Sequence, residues 1–137
     1  MFSSALDIST SALVAQRTRL NAISANIANI STTHNEQGER IPYQPKHVVF
    51  TTDDAIQTRD GATGVKVDQI VTENVEPIWK YQPNHPEAND KGMVAYPNIN
   101  LTTEFTDALE ATRAYEANIG VMEVTKSLGK QTLRILA

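Results

Sequence analysis

Apolar and small residues recur from Leu101 to Leu136 at alternating steps of four and three: Leu101, Phe105, Ala108, Thr112, Tyr115, Ile119, Met122, Lys126, Gly129, Leu133 and Leu136. Near the other end Leu6, Leu13, Leu20 and Ile27 repeat at sevens. A seven-residue repeat kept up over about five turns marks helices that wind around one another. The pattern predicts one helix from Ser3 or Ser4 to Asn29 and a second that opens after Pro97 with Asn98 or Asn100 as its N-cap. Ser4 with Asp7 resembles a capping box at the first start. Because residues 31–97 separate the two helices, the ends must meet each other, or other copies, in space.

Residues 31–97 have a different character. They concentrate the prolines and four of the six glycines. Short strands fit Lys46–Thr51, Gly64–Val71 and Ile78–Tyr81, with a weaker candidate at Met93–Tyr96. Val65, Val67 and Val71 alternate with Lys66 and Asp68, as on a half-buried strand. Turns are expected at Asn35–Gly38 and Asp60–Gly64, an irregular loop at Pro83–Asn89, and Trp79 and Tyr81 are the expected anchors of the β unit. The fold expected is α+β: residues 1–30 and 98–137 as a discontinuous core of two antiparallel, coiled-coil helices, with residues 31–97 as a small antiparallel β-rich insert.

Composition sharpens this picture. The polar positions of the first helix are Ser, Thr, Asn and Gln, which are mediocre helix formers, so packing must hold it together. On the second helix Ala108, Ala111, Ala114, Ala117 and Gly120 form a ridge of small side chains that lets another helix come close. Val121, Val124, Leu128 and Ile135 make a second apolar line beside the main repeat. Both helices therefore need partners, and the isolated chain is expected to fray at its ends and order on assembly.

Net charge is -4. Residues 31–97 carry ten acids against six bases, and no basic run supports nucleic-acid binding. The chain has no cysteine, which excludes disulfides, thiol chemistry and cysteine zinc sites. His34, His47 and His85 are scattered and complete no metal-ligand set, and neither a nucleophile elbow nor a phosphate-binding glycine loop is present. No catalytic, cofactor or metal site is expected. A membrane-embedded chain is not expected either, since no stretch approaches the ~20 apolar residues that span a bilayer.

The run Ser11-Ala12-Leu13-Val14-Ala15-Gln16, then Arg19-Leu20-Asn21 and Asn26-Ile27-Ala28-Asn29, resembles the opening helix of bacterial flagellar rod and hook proteins. Tyr81-Gln82-Pro83-Asn84-His85-Pro86, Gly92, Pro97-Asn98-Ile99-Asn100 and Arg113-Ala114-Tyr115-Glu116-Ala117-Asn118 extend the likeness to the proximal-rod branch of that family. Ala12 stands where the opening motif commonly has glycine, and Met93 where an aromatic is common. The resemblance implies a non-enzymatic structural subunit that stacks helically into the basal-body rod, transmits torque across the periplasm and is exported by the flagellar type III apparatus. It implies partners among other copies and other rod proteins, and further the membrane ring and export gate. On this reading the assembly interface comprises Leu6, Leu13, Leu20, Ile23, Asn26, Ile27, Asn29, Leu101, Phe105, Ala108, Tyr115, Asn118, Ile119, Met122 and Leu133. Asn29 serves equally as a helix C-cap. A secreted coiled-coil adaptor or effector that binds one helical partner is the alternative.

Overall fold

The computed structural model describes residues 2–137. Helix α1 spans Phe2–Ala28 and helix α2 spans Leu101–Leu136. Between them lie strands β1 (Lys46–Gln57), β2 (Thr63–Thr72), β3 (Ile78–Tyr81) and β4 (Met93–Tyr96). The architecture is α+β, and the β segment consists of two separate antiparallel hairpins, β1-β2 and β3-β4, not one sheet. β1 runs six residues further than the sequence pattern predicts. α1 begins before Ser4, so Ser4 is a helical residue and the expected capping box is not its start. α2 does start at a predicted cap: Asn100 Oδ1 accepts from the Thr103 backbone N–H at 3.2 Å.

The helices lie side by side and antiparallel. Asn26, late in α1, bonds Glu104, early in α2, while Arg19 reaches Asp107 and Glu110 one to two turns further on. Carried along the pair at equal rise, this register sets Phe2 opposite about Leu128. The last two turns of α2 therefore overhang, and every residue from Lys130 to Ala137 is exposed.

Small side chains make the contact. The covered positions of α2 follow Glu104, Ala108, Ala111, Tyr115, Asn118, Met122, Thr125 and Gly129, with Ala111 wholly buried. That line keeps the four-three spacing but is turned from the predicted repeat, with which it shares only Ala108, Tyr115, Met122 and Gly129. On α1 the buried residues are Ser9, Ala15, Ala22, Ile23 and Asn26, and Leu6, Leu13, Leu20 and Ile27 are half-buried beside them. Close approach through alanine leaves little room for large side chains between the helices.

The β1-β2 hairpin lies along α1 and is tied to it at two levels. At one, Ser11 Oγ accepts from the Val65 backbone N–H at 3.1 Å and donates to Ile8 O at 2.6 Å. At the other, Asn26 holds Lys46. The fifteen residues from Ser11 to Asn26 rise ~22 Å as helix, close to the ~20 Å that β1 spans between Lys46 and Thr52, the residue opposite Val65. Asp68 is the extra residue where the register shifts between Val49 and Phe50. Val65, Val67 and Val71 are half-buried while Lys66 and Asp68 are exposed, as their alternation predicts.

Trp79 and Tyr81, the expected anchors, are 52% and 71% exposed. A four-residue, two-stranded ribbon buries only one face, and here the register puts Trp79 and Tyr81 on the face opposite Val94, which is fully buried. Thr33 and His34 fasten the stretch after α1 to this hairpin through the Glu87 carboxylate, at 2.8 Å from Thr33 Oγ1 and 2.8 Å from His34 Nδ1.

At Gly64 the hairpin lies close against α1. A Cβ there would stand 3.0 Å from Ser11 Oγ and 3.0 Å from Ile56 Cβ, whereas one on Gly120 would meet nothing. Gly64→Ala should therefore lower thermal stability by about 1–3 kcal/mol. Gly120→Ala, which relieves a helix interior of glycine, should raise it by up to about 1 kcal/mol in the same monomer melts.

Candidate assembly surface

One buried amide joins four parts of the chain. Asn26 is 2% exposed, and its Oδ1 accepts from the Lys46 backbone N–H at 2.9 Å and from Tyr43 Oη at 3.1 Å. Its Nδ2 donates to Lys46 O at 2.8 Å and lies 3.3 Å from each oxygen of the Glu104 carboxylate. The side chain thus takes the place of a neighbouring strand at the first residue of β1, while clamping α1 to the first turn of α2. A buried amide with all its positions filled is strongly specifying, since any displacement leaves several groups unpaired.

The Glu104 carboxyl is held above the usual carboxylate range, first by burial, with the nearby charges of Asp107 and Glu73 adding to the shift and the Asn26 bond opposing it. Burial, and then the Glu104 charge, push the Tyr43 hydroxyl up as well. Around this group lies a cleft of about 440 Å³, bounded among others by Arg19, Ile23, His47, Phe50, Glu73 and Ile99. Arg19 stands 3.6 Å from Glu110 and 3.9 Å from Asp107, contacts long and exposed enough to contribute little.

The larger feature is apolar surface left uncovered. Phe105 is 57% exposed, Leu109 52%, Val124 60% and Leu133 68%. Leu101, Ile119, Val121, Leu128, Ile135 and Leu136 are exposed too. At 100° per residue they fall into two lines. Leu101, Phe105, Leu109 and Ile119 lie on one flank of the α1-facing line, and Val121, Val124, Leu128 and Ile135 lie on the other. A monomer seldom leaves so much contiguous apolar surface in water unless it marks an interaction site.

Of the residues singled out by the sequence, Leu101, Phe105, Ile119 and Leu133 lie on these uncovered faces. Leu6, Leu13, Leu20, Ile27, Ala108, Tyr115 and Met122 are half-buried along the helix pair, and Ile23 is buried. Asn26 is committed within the chain. Asn29 and Asn118 bond locally, Nδ2 donating to Ala25 O and Ala114 O respectively, each at 2.8 Å. The Asn29 backbone N–H also donates to Ala25 O at 3.1 Å, so Asn29 closes the end of α1, and Thr32 Oγ1 donates to its Oδ1 at 3.0 Å. Sequence reasoning missed Glu104, Tyr43 and Lys46 as partners of Asn26, because nothing local signals a contact across 78 residues. It also missed Gln16, whose Oε1 is buried without a donor among the described residues. Among those residues no helix is long and apolar enough to cross a membrane.

Comparison with known proteins gives two family matches, one at each end. Residues 6–34 match the model described as flagella basal body rod protein, and residues 90–135 match the flagellar basal body rod FlgEFG protein C-terminal model. Flagellar basal-body rod protein FlgC of Buchnera aphidicola is 39% identical over 129 residues, covering 94% of this chain and 93% of the relative. FlgC of Salmonella typhimurium is 36% identical over 94% of this chain and 93% of its own. That of Bacillus subtilis is 34% identical over 95% of each.

Asn26→Ala should cost about 2–4 kcal/mol in urea unfolding, because it strands the buried N–H and C=O of Lys46. Raised in the folded chain, the Glu104 pKa makes the native state the tighter proton binder. Its contribution to stability should accordingly fall as pH rises from the ordinary value of 4.5 through the raised one. The difference in unfolding midpoint between the native chain and Glu104→Gln, followed from pH 4 to 7, should grow in the variant's favour across that window and be flat above it.

Proposed function

The chain belongs to the FlgC family of flagellar basal-body rod proteins, and from that premise we infer how it assembles. It is a structural subunit of the rod and not an enzyme. Residues 1–30 and 98–137 act as one helical core unit, with residues 31–97 as the insert carried on its outside. The uncovered faces of α2 and the half-buried leucines of α1 dock on neighbouring copies and on other rod subunits, forming a helical array that passes torque through packed helices. Export by the flagellar type III apparatus into the periplasmic rod, with contacts to the membrane ring and export gate, completes this reading.

The single observation that carries it is the mismatch between the helix pair and its large side chains. Alanine meets α1, while Phe105, Leu109, Val124 and Leu133 face water. Transferring each of these out of water is worth about 1.5–3 kcal/mol when complete. Docking therefore has a driving force that folding of one chain leaves unused. A one-partner adaptor has no comparable use for two apolar lines on opposite flanks of one helix.

Two measurements test this. Phe105→Ser and Val124→Ser should leave monomer stability within about 0.5 kcal/mol, because both side chains are exposed, yet abolish oligomers in sedimentation and motility in a complemented strain. Unchanged assembly in both variants would overturn the reading. Amide exchange of the dilute monomer should show protection concentrated around residues 15–26 and 104–111, falling to none beyond Gly129, and gained there on assembly.

A further inference from the structure

The last turns of α2 separate charge from apolar surface. Set at 100° per residue, Val124, Leu128, Ile135 and Leu136 fall within an arc of about 120°, and Lys126, Lys130 and Arg134 fall within about 80° on the far side of the helix. All seven are exposed, Ile135 at 84% and Leu136 at 79%. Of the large aliphatic residues in this stretch, Leu133 alone lies outside the apolar arc. Residues 124–136 contain no acid. The nearest, Glu123, sits just before them, and no carboxylate pairs with the three cations among the described residues.

The rest of the chain leaves this end open. The start of α1 comes opposite about Leu128, and the β1-β2 hairpin tip, with Arg59 and Asp60, shares a groove with α2 at Val121. From Lys130 on, every residue is exposed.

We propose that in the unassembled chain the C-terminal turns of α2, Val124 to Leu136, lie along the surface of an anionic lipid bilayer, with Val124, Leu128 and Ile135 set into the acyl boundary and Lys126, Lys130 and Arg134 at headgroup level. The proposal goes beyond the rod-subunit reading and does not depend on it.

Charge and shape together select lipid as the occupant. A stretch with three cations and no acid is complementary to an anionic surface, and each cation near such a surface strengthens binding about fivefold. Even the cations on the upper side of the helix stand only ~10 Å from the headgroups, within a Debye length, and their long stems reach down. The apolar arc is entirely aliphatic and has no aromatic side chain to anchor it in a protein pocket, whereas acyl chains take any such face without shape matching. Thirteen residues of helix extend ~18 Å, too short to cross a bilayer and long enough to lie on one. The other end of α2 sets the orientation. Glu104, Asp107 and Glu110, with no base among residues 101–112, are repelled by the same surface, so the helix is drawn down by its C-terminal end. A net charge of -4 on the whole chain keeps the attachment reversible.

Flotation of the full chain with vesicles tests this, at concentrations where sedimentation shows monomer. Binding to phosphatidylcholine vesicles containing about 30% phosphatidylglycerol should exceed binding to phosphatidylcholine alone about tenfold or more, and should fall back in about 0.5 M salt. Lys130→Glu with Arg134→Glu should abolish it, and Leu128→Ser with Ile135→Ser should weaken it about tenfold, while circular dichroism of both stays native-like in solution. Phe105→Ser, on the other flank and at the acidic end, should bind as the native chain does. Because the chain has no cysteine, an environment-sensitive fluorophore can be placed by Ile135→Cys or by Phe105→Cys. The first should shift to the blue on anionic vesicles and the second should not.

Equal binding to both vesicle types, binding that survives the charge reversal, or a blue shift at position 105 instead of 135 overturns the proposal. So does absence of vesicle binding by a chain that still forms oligomers, a result that assigns this end to protein and leaves the rod reading standing. Vesicle binding by a chain that never oligomerises supports the proposal and counts against the rod reading alone.

Discussion

Two helices that touch through alanine come close but bury little. This constraint governs the whole molecule. Ala15 and Ala22 of α1 and Ala111 of α2 are almost completely buried, and together they remove less apolar area from water than a pair of leucines would. Close approach sets the register, and the register decides that the large residues of α2 point elsewhere. The chain thus has a well-defined backbone arrangement with a very small interior, and its remaining cohesion must come from polar contacts or from other molecules.

Within the chain the polar contacts are few and concentrated. Asn26 does at one point what a core does over an area: it ends the drift of α1 against α2, starts β1 in register and anchors the loop through Tyr43. Ser11 repeats the arrangement on a smaller scale at the far end of the hairpin, with Gly64 leaving room for it. Between these two ties a helix and a ribbon of matching length lie parallel. Specificity of this sort depends on satisfying each buried group, and Glu104, which is charged, desolvated and near other acids, is the least comfortable member.

The exposed surface has its own order. Apolar residues on α2 occupy two flanks and not one, and the charges change sign along its length. A subunit of a rod must present faces to neighbours on several sides without closing on itself, and a long helix bearing distinct faces at its two ends meets that need. The outer hairpin β3-β4, with Trp79 and Tyr81 turned to water, contributes nothing to the helix pair and is fastened to the rest through Glu87 and the stretch after α1.

The sequence by itself determined the elements: both helices, the Asn100 cap, the four strands and the two-ended family likeness were legible, because periodicity, capping and turn chemistry act over a few residues. It also showed that a seven-residue repeat ran through α2. It could not show which line of that repeat meets α1. Leu101 and Phe105 look like the seam on hydrophobicity alone, yet Glu104 and Ala111 occupy it, since distance of approach and the Asn26 clamp, not side-chain apolarity, choose the contact face. Trp79 was misplaced for the same reason, as a short ribbon offers an aromatic no second layer to enter. Only the tertiary structure decided these points, because they depend on which surfaces remain once small residues have taken the interior, and no local pattern records that remainder.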